Sequence, residues 1–210
     1  MERLIKVGAE ANIFISKWHG IEVIRKVRRS KPYWRKELDL KIRKIRTIRE
    51  TYYINLVKKF GVLTPVIYFS DPFRGEIIME YVKGDRLKDV IEDDSIREGK
   101  ILYEVGRELG IMHSHNIIHG DPTTSNFIIK EDDSRVYIID FGLTFYSQRV
   151  EDKAVDIHLF KQVIKSAHPK YFEQIFERVI SGYSRTYNMA TKILENVKEI
   201  ERRGRYATLE

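Results

Sequence analysis

Apolar and polar positions change rhythm along the chain, and the changes predict its elements. The first thirty residues read as strands. Ile13, Phe14, Ile15 and Trp18 follow a Gly8-Ala9-Glu10-Ala11 loop, and His19-Gly20 turns the chain into a β-branched, partly alternating run over 21–27. Pro32 ends that run. A helical period takes over across 33–60, with Leu38, Ile42, Ile45 and Ile48 on one stripe, until Gly61 and Pro65 stop it. Short strands are expected over 66–69 and 76–82, split by the turn Asp71-Pro72. Beyond them, 86–91 suggests a short helix, and Ile101, Val105, Leu109 and Met112 share one face of a longer helix. The polar stretch 119–126, which contains Pro122, reads as a loop. Residues 127–129 and 136–139 read as short strands joined by Glu131-Asp132-Asp133-Ser134. After Asp152 the pattern is helical, beginning with Val155, Leu159 and Val163.

The order is a β-rich part with one long helix, then a helical part, meeting near Lys83-Gly84. We expect an α+β chain of two lobes, 1–82 and 83–210. Ligand clefts favour such junctions.

Composition narrows the setting. The chain has 210 residues and no cysteine, which excludes disulfides and thiolate metal sites. No apolar run reaches the about 18 residues of a membrane span, and Met1-Glu2-Arg3 does not open a signal peptide. The expectation is a soluble, cytoplasmic protein with no membrane partner. Charge is uneven: the net +7 conceals a stretch from Arg25 to Arg49 with twelve basic residues against Glu37 and Asp39. Arg202, Arg203 and Arg205 add to it near the end. Such clustering suits a polyanion, although on charge alone a solvated helix face is the more ordinary reading.

The chemistry concentrates in two short motifs. His119-Gly120-Asp121-Pro122-Thr123-Thr124-Ser125-Asn126 is followed by Ile138-Ile139-Asp140-Phe141-Gly142. A carboxylate, an amide five residues later and a carboxylate after a buried strand make a workable phosphoryl-transfer site. Asp121 can orient an attacking hydroxyl or water. Asn126 and Asp140 offer hard oxygen ligands to Mg²⁺, which bridges phosphate oxygens. Gly142 permits a sharp turn after Asp140.

At this spacing the two motifs resemble those of the protein-kinase superfamily. The resemblance implies a minimal kinase-like fold and a Mg–ATP site. In kinases a strand lysine pairs with phosphates and with a helix glutamate. Those roles fall to Lys26 and Glu50, and Arg28 rivals Lys26 because both fall on one strand face, while Arg25 falls on the other. Met79-Glu80-Tyr81-Val82 resembles the hinge whose backbone, at Glu80 and Val82, binds adenine. Gly8, Ala9, Glu10 and Ala11 take the place of the phosphate-covering loop. Asp156 resembles the buried aspartate that holds the catalytic loop, with a helix-cap role as the alternative.

The departures point to a subfamily. The covering loop keeps only Gly8, Gly120 replaces the arginine that reads a phosphorylated activation loop, and the segment from Asp140 to Ala154 is very short. With Lys26-Val27-Arg28, Arg46-Thr47-Ile48-Arg49-Glu50 and Arg203-Gly204-Arg205, these features resemble the small kinase subunit family of the KEOPS (EKC) complex, also called the PRPK family. That resemblance implies an atypical serine/threonine kinase or ATPase. Its partners would be the KEOPS transferase subunit, the other KEOPS subunits and tRNA, the last contacted through Arg202, Arg203 and Arg205. Pro122 stands where the family usually has Leu. Two other readings compete: a small-molecule phosphotransferase, which would usually need a larger helical lobe, and a nucleotide-binding scaffold without turnover. His113, His115 and His119 lie close in sequence, but the spacing of His113 and His115 does not suit a shared metal.

Overall fold

Alternating strands and a two-residue turn start the architecture, seen in a computed structural model that describes residues 2–206, the side chains of 98 and 204–206 excepted. β1 (Arg3–Val7), β2 (Ala11–Trp18) and β3 (Ile21–Arg28) form an antiparallel meander. His19 and Gly20, both at positive φ (47° and 87°), make the tight hairpin between β2 and β3. After α1 (Lys36–Lys58), β4 (Ile67–Asp71) and β5 (Glu76–Glu80) complete a five-stranded sheet in the order β1-β2-β3-β5-β4.

α1 is shorter than the 33–60 its sequence suggests, and its apolar stripe is not the side it buries. Its inner face carries Asp39, Thr47, Glu50, Ile54 and Val57, while Leu38, Ile45 and Ile48 are exposed. The inner side of the helix must meet two cations on β3, so polar residues occupy it and the apolar stripe is left outside.

A small three-stranded sheet follows, built from β6 (Gly84–Arg86), β8 (Phe127–Lys130) and β9 (Val136–Ile138). Between β6 and β8 lie α2 (Leu87–Val90), α3 (Asp94–Glu98), α4 (Ile101–Ser114) and β7 (Ile117–Ile118). β10 (Phe145–Tyr146) pairs with β7, and α5 (Val150–Ala167), α6 (Phe172–Thr186) and α7 (Ala190–Tyr206) finish the described chain. β6, β7, β10 and α3 are too short to announce themselves in the pattern. On α5 the apolar positions that suggested the helix again lie outward: Val155 and Leu159 are exposed, and Ala154, Ile157, Phe160 and Ile164 enter the core.

Leu102, Val105, Leu109 and Met112 of α4 lie at the centre of the core, against Ile175, Val179 and Tyr183 of α6. The two helices touch backbone to backbone. A Cβ added at Gly106 would stand 1.8 Å from the Val179 carbonyl, and one at Gly182 would stand 1.8 Å from the Tyr103 carbonyl. α4 also buries a carboxylate. Glu108 accepts from Arg107 Nη2 at 2.7 Å with its side chain 2% exposed. Burial pushes its carboxyl up to about 7, against the pull of Arg107. Among the described residues no helix is long and apolar enough to cross a membrane.

Candidate active site

β3 delivers two cations to one place because residues two apart share a strand face. Lys26 (6% exposed) and Arg28 (5%) both reach Glu50 of α1 (1%). Lys26 Nζ lies 2.7 Å from Oε1, and Arg28 Nη2 lies 2.6 Å from Oε2. Arg25, on the other face, pairs instead with Glu76 and Glu2. Lys26 alone also reaches Asp140 Oδ1, at 2.8 Å. Burial works against the Lys26 ammonium, but Asp140 and Glu50 outweigh it and raise its pKa above the ordinary value. Burial likewise opposes the Asp140 charge, and Lys26 outweighs it, holding the carboxyl far below the usual range.

The loop after β7 is held from behind. Asp156, well inside α5 and not at its cap, accepts from the N–H groups of His119 (2.9 Å) and Gly120 (2.8 Å). The same carboxylate meets His113 Nε2 at 3.1 Å, and His113 Nδ1 shares a 2.8 Å bond with the Tyr183 hydroxyl. Burial alone would raise the Asp156 carboxyl; the His113 and Gly120 bonds outweigh it and hold it low. Gly120 has φ +82°, and a Cβ there would stand 2.5 Å from the Leu143 carbonyl, so the arginine expected of regulated kinases has neither the backbone conformation nor the room.

This frame presents Asp121 and Asn126. The Asn126 amide donates to the Asp121 carbonyl (2.9 Å) and to its Oδ2 (3.2 Å). With its NH₂ so committed, the amide oxygen is the atom left for a cation. Burial raises the Asp121 carboxyl, toward the range of a useful proton acceptor. Phe141 is fully buried and packs on His119, with ring centroids 5.2 Å apart. Asp140 just before it has φ +67°, which throws its carboxylate out of line with β9.

Lys26, Arg28, Glu50, Asp121, Asn126 and Asp140 open on one cavity of about 510 Å³. Gly8, Ala9, Glu10, Ala11, Lys26, Glu50, Glu80, Val82, Asp121, Asn126 and Asp140 line it. Ile13, Pro65, Met79, Ile128 and Leu143 add apolar lining. At the hinge, the Glu80 N–H donates to the Val66 carbonyl at 2.8 Å. Arg202 and Arg203 lie elsewhere, exposed on α7, where Arg203 meets Glu199 and Glu151 at 3.5 and 3.8 Å. The Arg205 side chain lies outside the described residues. Sequence reasoning did not find the Glu10–Arg28 and Glu10–Arg46 ion pairs, or the His113–Tyr183 bond. Arg46, four residues before Glu50, could have been found from helical spacing. His113 and Tyr183 are seventy residues apart in the chain and carry no such signal.

Residues 17–163 match the family described as protein kinase domain. A KEOPS complex subunit Bud32 from Pyrococcus abyssi is 43% identical, over 97% of this chain and 96% of that one. The chain belongs to the protein-kinase domain family, in its Bud32 group. A probable bifunctional tRNA threonylcarbamoyladenosine biosynthesis protein from Methanocaldococcus jannaschii is 44% identical over 98% of this chain, which spans 37% of that longer protein. The Rio2 kinase of Chaetomium thermophilum, solved as an ADP/Mg²⁺-phosphoaspartate complex, shares the fold with a TM-score of 0.63 at 14% identity, over 96% of this chain and 70% of that one. The family agrees with the resemblance carried by the motifs, and it supports phosphoryl transfer as the general class of chemistry.

Proposed function

We propose that this chain binds Mg–ATP in the cavity and transfers its γ-phosphoryl group, to water or to a serine or threonine hydroxyl, as a subunit of a KEOPS complex that makes threonylcarbamoyladenosine in tRNA. The observation that carries the reading is the convergence of Lys26, Glu50, Asp121, Asn126 and Asp140 on one cavity, with Lys26 at salt-bridge distance from both Glu50 and Asp140.

Each residue has a task that its surroundings support. The backbone of Glu80 and Val82 takes adenine, beside the apolar lining residues Pro65 and Met79. Lys26, steered by Glu50, binds phosphate oxygens. The Asn126 oxygen and the Asp140 carboxylate suit Mg²⁺, a hard ion that accepts one or two carboxylates and completes its shell with water and phosphate. Bound there, Mg²⁺ supplies neutralisation of the phosphate charge. Asp140 stays ionised because Lys26 faces it. Asp121 orients the attacking O–H and takes its proton; a bond forms from that oxygen to the γ-phosphorus, and the bond to the β–γ bridging oxygen breaks, leaving ADP.

The short segment from Asp140 to the start of α5 at Val150 gives little platform for a peptide, which favours water as acceptor. The KEOPS transferase subunit and the other KEOPS subunits are the proposed protein partners, and Arg202, Arg203 and Arg205 the proposed contact to tRNA phosphates.

The test incubates the protein with γ-labelled ATP and Mg²⁺, with and without the transferase subunit and tRNA, beside Asp121→Asn. Free phosphate that depends on Asp121 and rises with the partners supports the ATPase reading. Label chiefly on protein makes it a protein kinase. ATP binding without either product would leave a scaffold.

A further inference from the structure

Six charged side chains alternate in sign along one path, Arg46, Glu10, Arg28, Glu50, Lys26 and Asp140, of which Arg46 lies beside the cavity and the other five line it. The contacts are Arg46 to Glu10, Glu10 Oε2 to Arg28 Nη1 (3.7 Å), Arg28 to Glu50 (2.6 Å), Glu50 to Lys26 (2.7 Å) and Lys26 to Asp140 (2.8 Å). The last three belong to the site already described. The first two do not, and they are out of place in a cavity meant for phosphates. Glu10 lies in the covering loop, lines the cavity and is half exposed, so its carboxylate repels the anion the loop should cover.

Arg28 makes the arrangement sharper. Its side chain is 4% exposed and lines the cavity, yet its Nε has no acceptor. A buried guanidinium donor without a partner is costly, and a guanidinium fork suits a phosphate oxyanion. Along the path, three cations balance three carboxylates only while Glu10 is in place. When Glu10 withdraws, Arg28 and Arg46 hold one positive charge in excess, matched to an incoming phosphate oxygen.

We propose that Arg28 and Arg46 form a second anion subsite, for a phosphate of the bound nucleoside polyphosphate, and that Glu10 fills it when nucleotide is absent. Nucleotide entry then exchanges one anion for another. The covering loop opens as Glu10 leaves, and its carbonyl remains tied by the Arg29 N–H at 2.8 Å, so the movement is local. This inference rests on the nucleotide-binding reading above.

Calorimetry with the β,γ-imido analogue of ATP, with ADP and with adenosine tests it without turnover. Glu10→Gln should tighten the triphosphate analogue about fivefold or more by removing the competing carboxylate. Arg46→Ala should weaken it by a similar factor, Arg46→Lys should recover part of that affinity, and adenosine should bind all variants alike. Unchanged or weaker triphosphate binding by Glu10→Gln overturns the proposal, as does a parallel change for adenosine, which would mark a merely structural effect. Failure of the unsubstituted protein to bind both adenosine and the triphosphate analogue would overturn the nucleotide site itself, and the subsite with it.

Discussion

Glu108 offers a quantitative test of how burial tunes this fold. The folded acid keeps its proton up to about pH 7, whereas an ordinary glutamate releases it near 4.5. The native state therefore binds more protons than the unfolded state between those values, and stability falls as pH rises through that window. At about 1.4 kcal/mol for each pH unit, the ionised form costs about 3 kcal/mol above pH 7. Glu108→Gln keeps a carbonyl oxygen for Arg107 Nη2 and removes the charge. That cost is already net of the pull of Arg107, which opposes the effect of burial, so the variant gains about 3 kcal/mol at pH 8. For a chain of this size that is a rise in Tm of about 6–12 °C at pH 8. At pH 4.5, where both side chains are neutral, the two proteins should melt within about 1 °C of each other. Thermal melts followed by circular dichroism across pH 4.5 to 8 provide the assay. A variant that is no more stable at pH 8, or a gap that does not widen with pH, would refute the assignment of the burden to this carboxylate.

Three further outcomes follow from the packing and the charges. Asp156→Ala leaves the N–H groups of His119 and Gly120 and the His113 ring without their acceptor; urea unfolding should show destabilisation by about 3 kcal/mol or more, and a change under about 1 kcal/mol would mean that water replaces the carboxylate. Gly106→Ala forces a methyl group against the Val179 carbonyl, so it should lower stability by about 3 kcal/mol or prevent expression of folded protein, and a wild-type melt would contradict the close approach of the two backbones. Removal of the chain from Arg202 onward should weaken tRNA binding and reduce the slope of log affinity against log salt by up to about 0.9 for each phosphate the tail neutralises; an unchanged slope would move the footprint to the Arg25–Arg49 segment.

What the sequence disclosed depended on how local the signal was. Asp121 and Asn126 are held together by bonds across five residues, so their pairing is written in the spacing of one loop. The choice between Lys26 and Arg28 could not be read that way, because both lie on one strand face and both reach Glu50; only the salt bridge to Asp140 separates them. Helical period identified α1 and α5 but did not tell which side is buried. An apolar stripe states that a helix has two kinds of face, not which one the rest of the chain covers. On α1, Glu50 had to face β3, and Leu38, Ile45 and Ile48 were left outward. Gly120 read as a missing arginine, but its φ of +82° and the nearby Leu143 carbonyl are tertiary facts.

The close approach of α4 and α6 at their glycines reaches further than its own stability. The C-terminal end of α4 leads within a few residues into the loop that bears Asp121, and His113 near that end carries the bond to Asp156. Any side chain at position 106 or 182 would wedge the helices apart and shift that end. The placement of the Asp121 carboxylate is therefore encoded partly by two residues that carry no functional group. In a lineage drifting by single substitutions these positions have almost no neutral alternatives. An alignment that weighed only chemically active side chains would overlook two positions on which the site's registration depends.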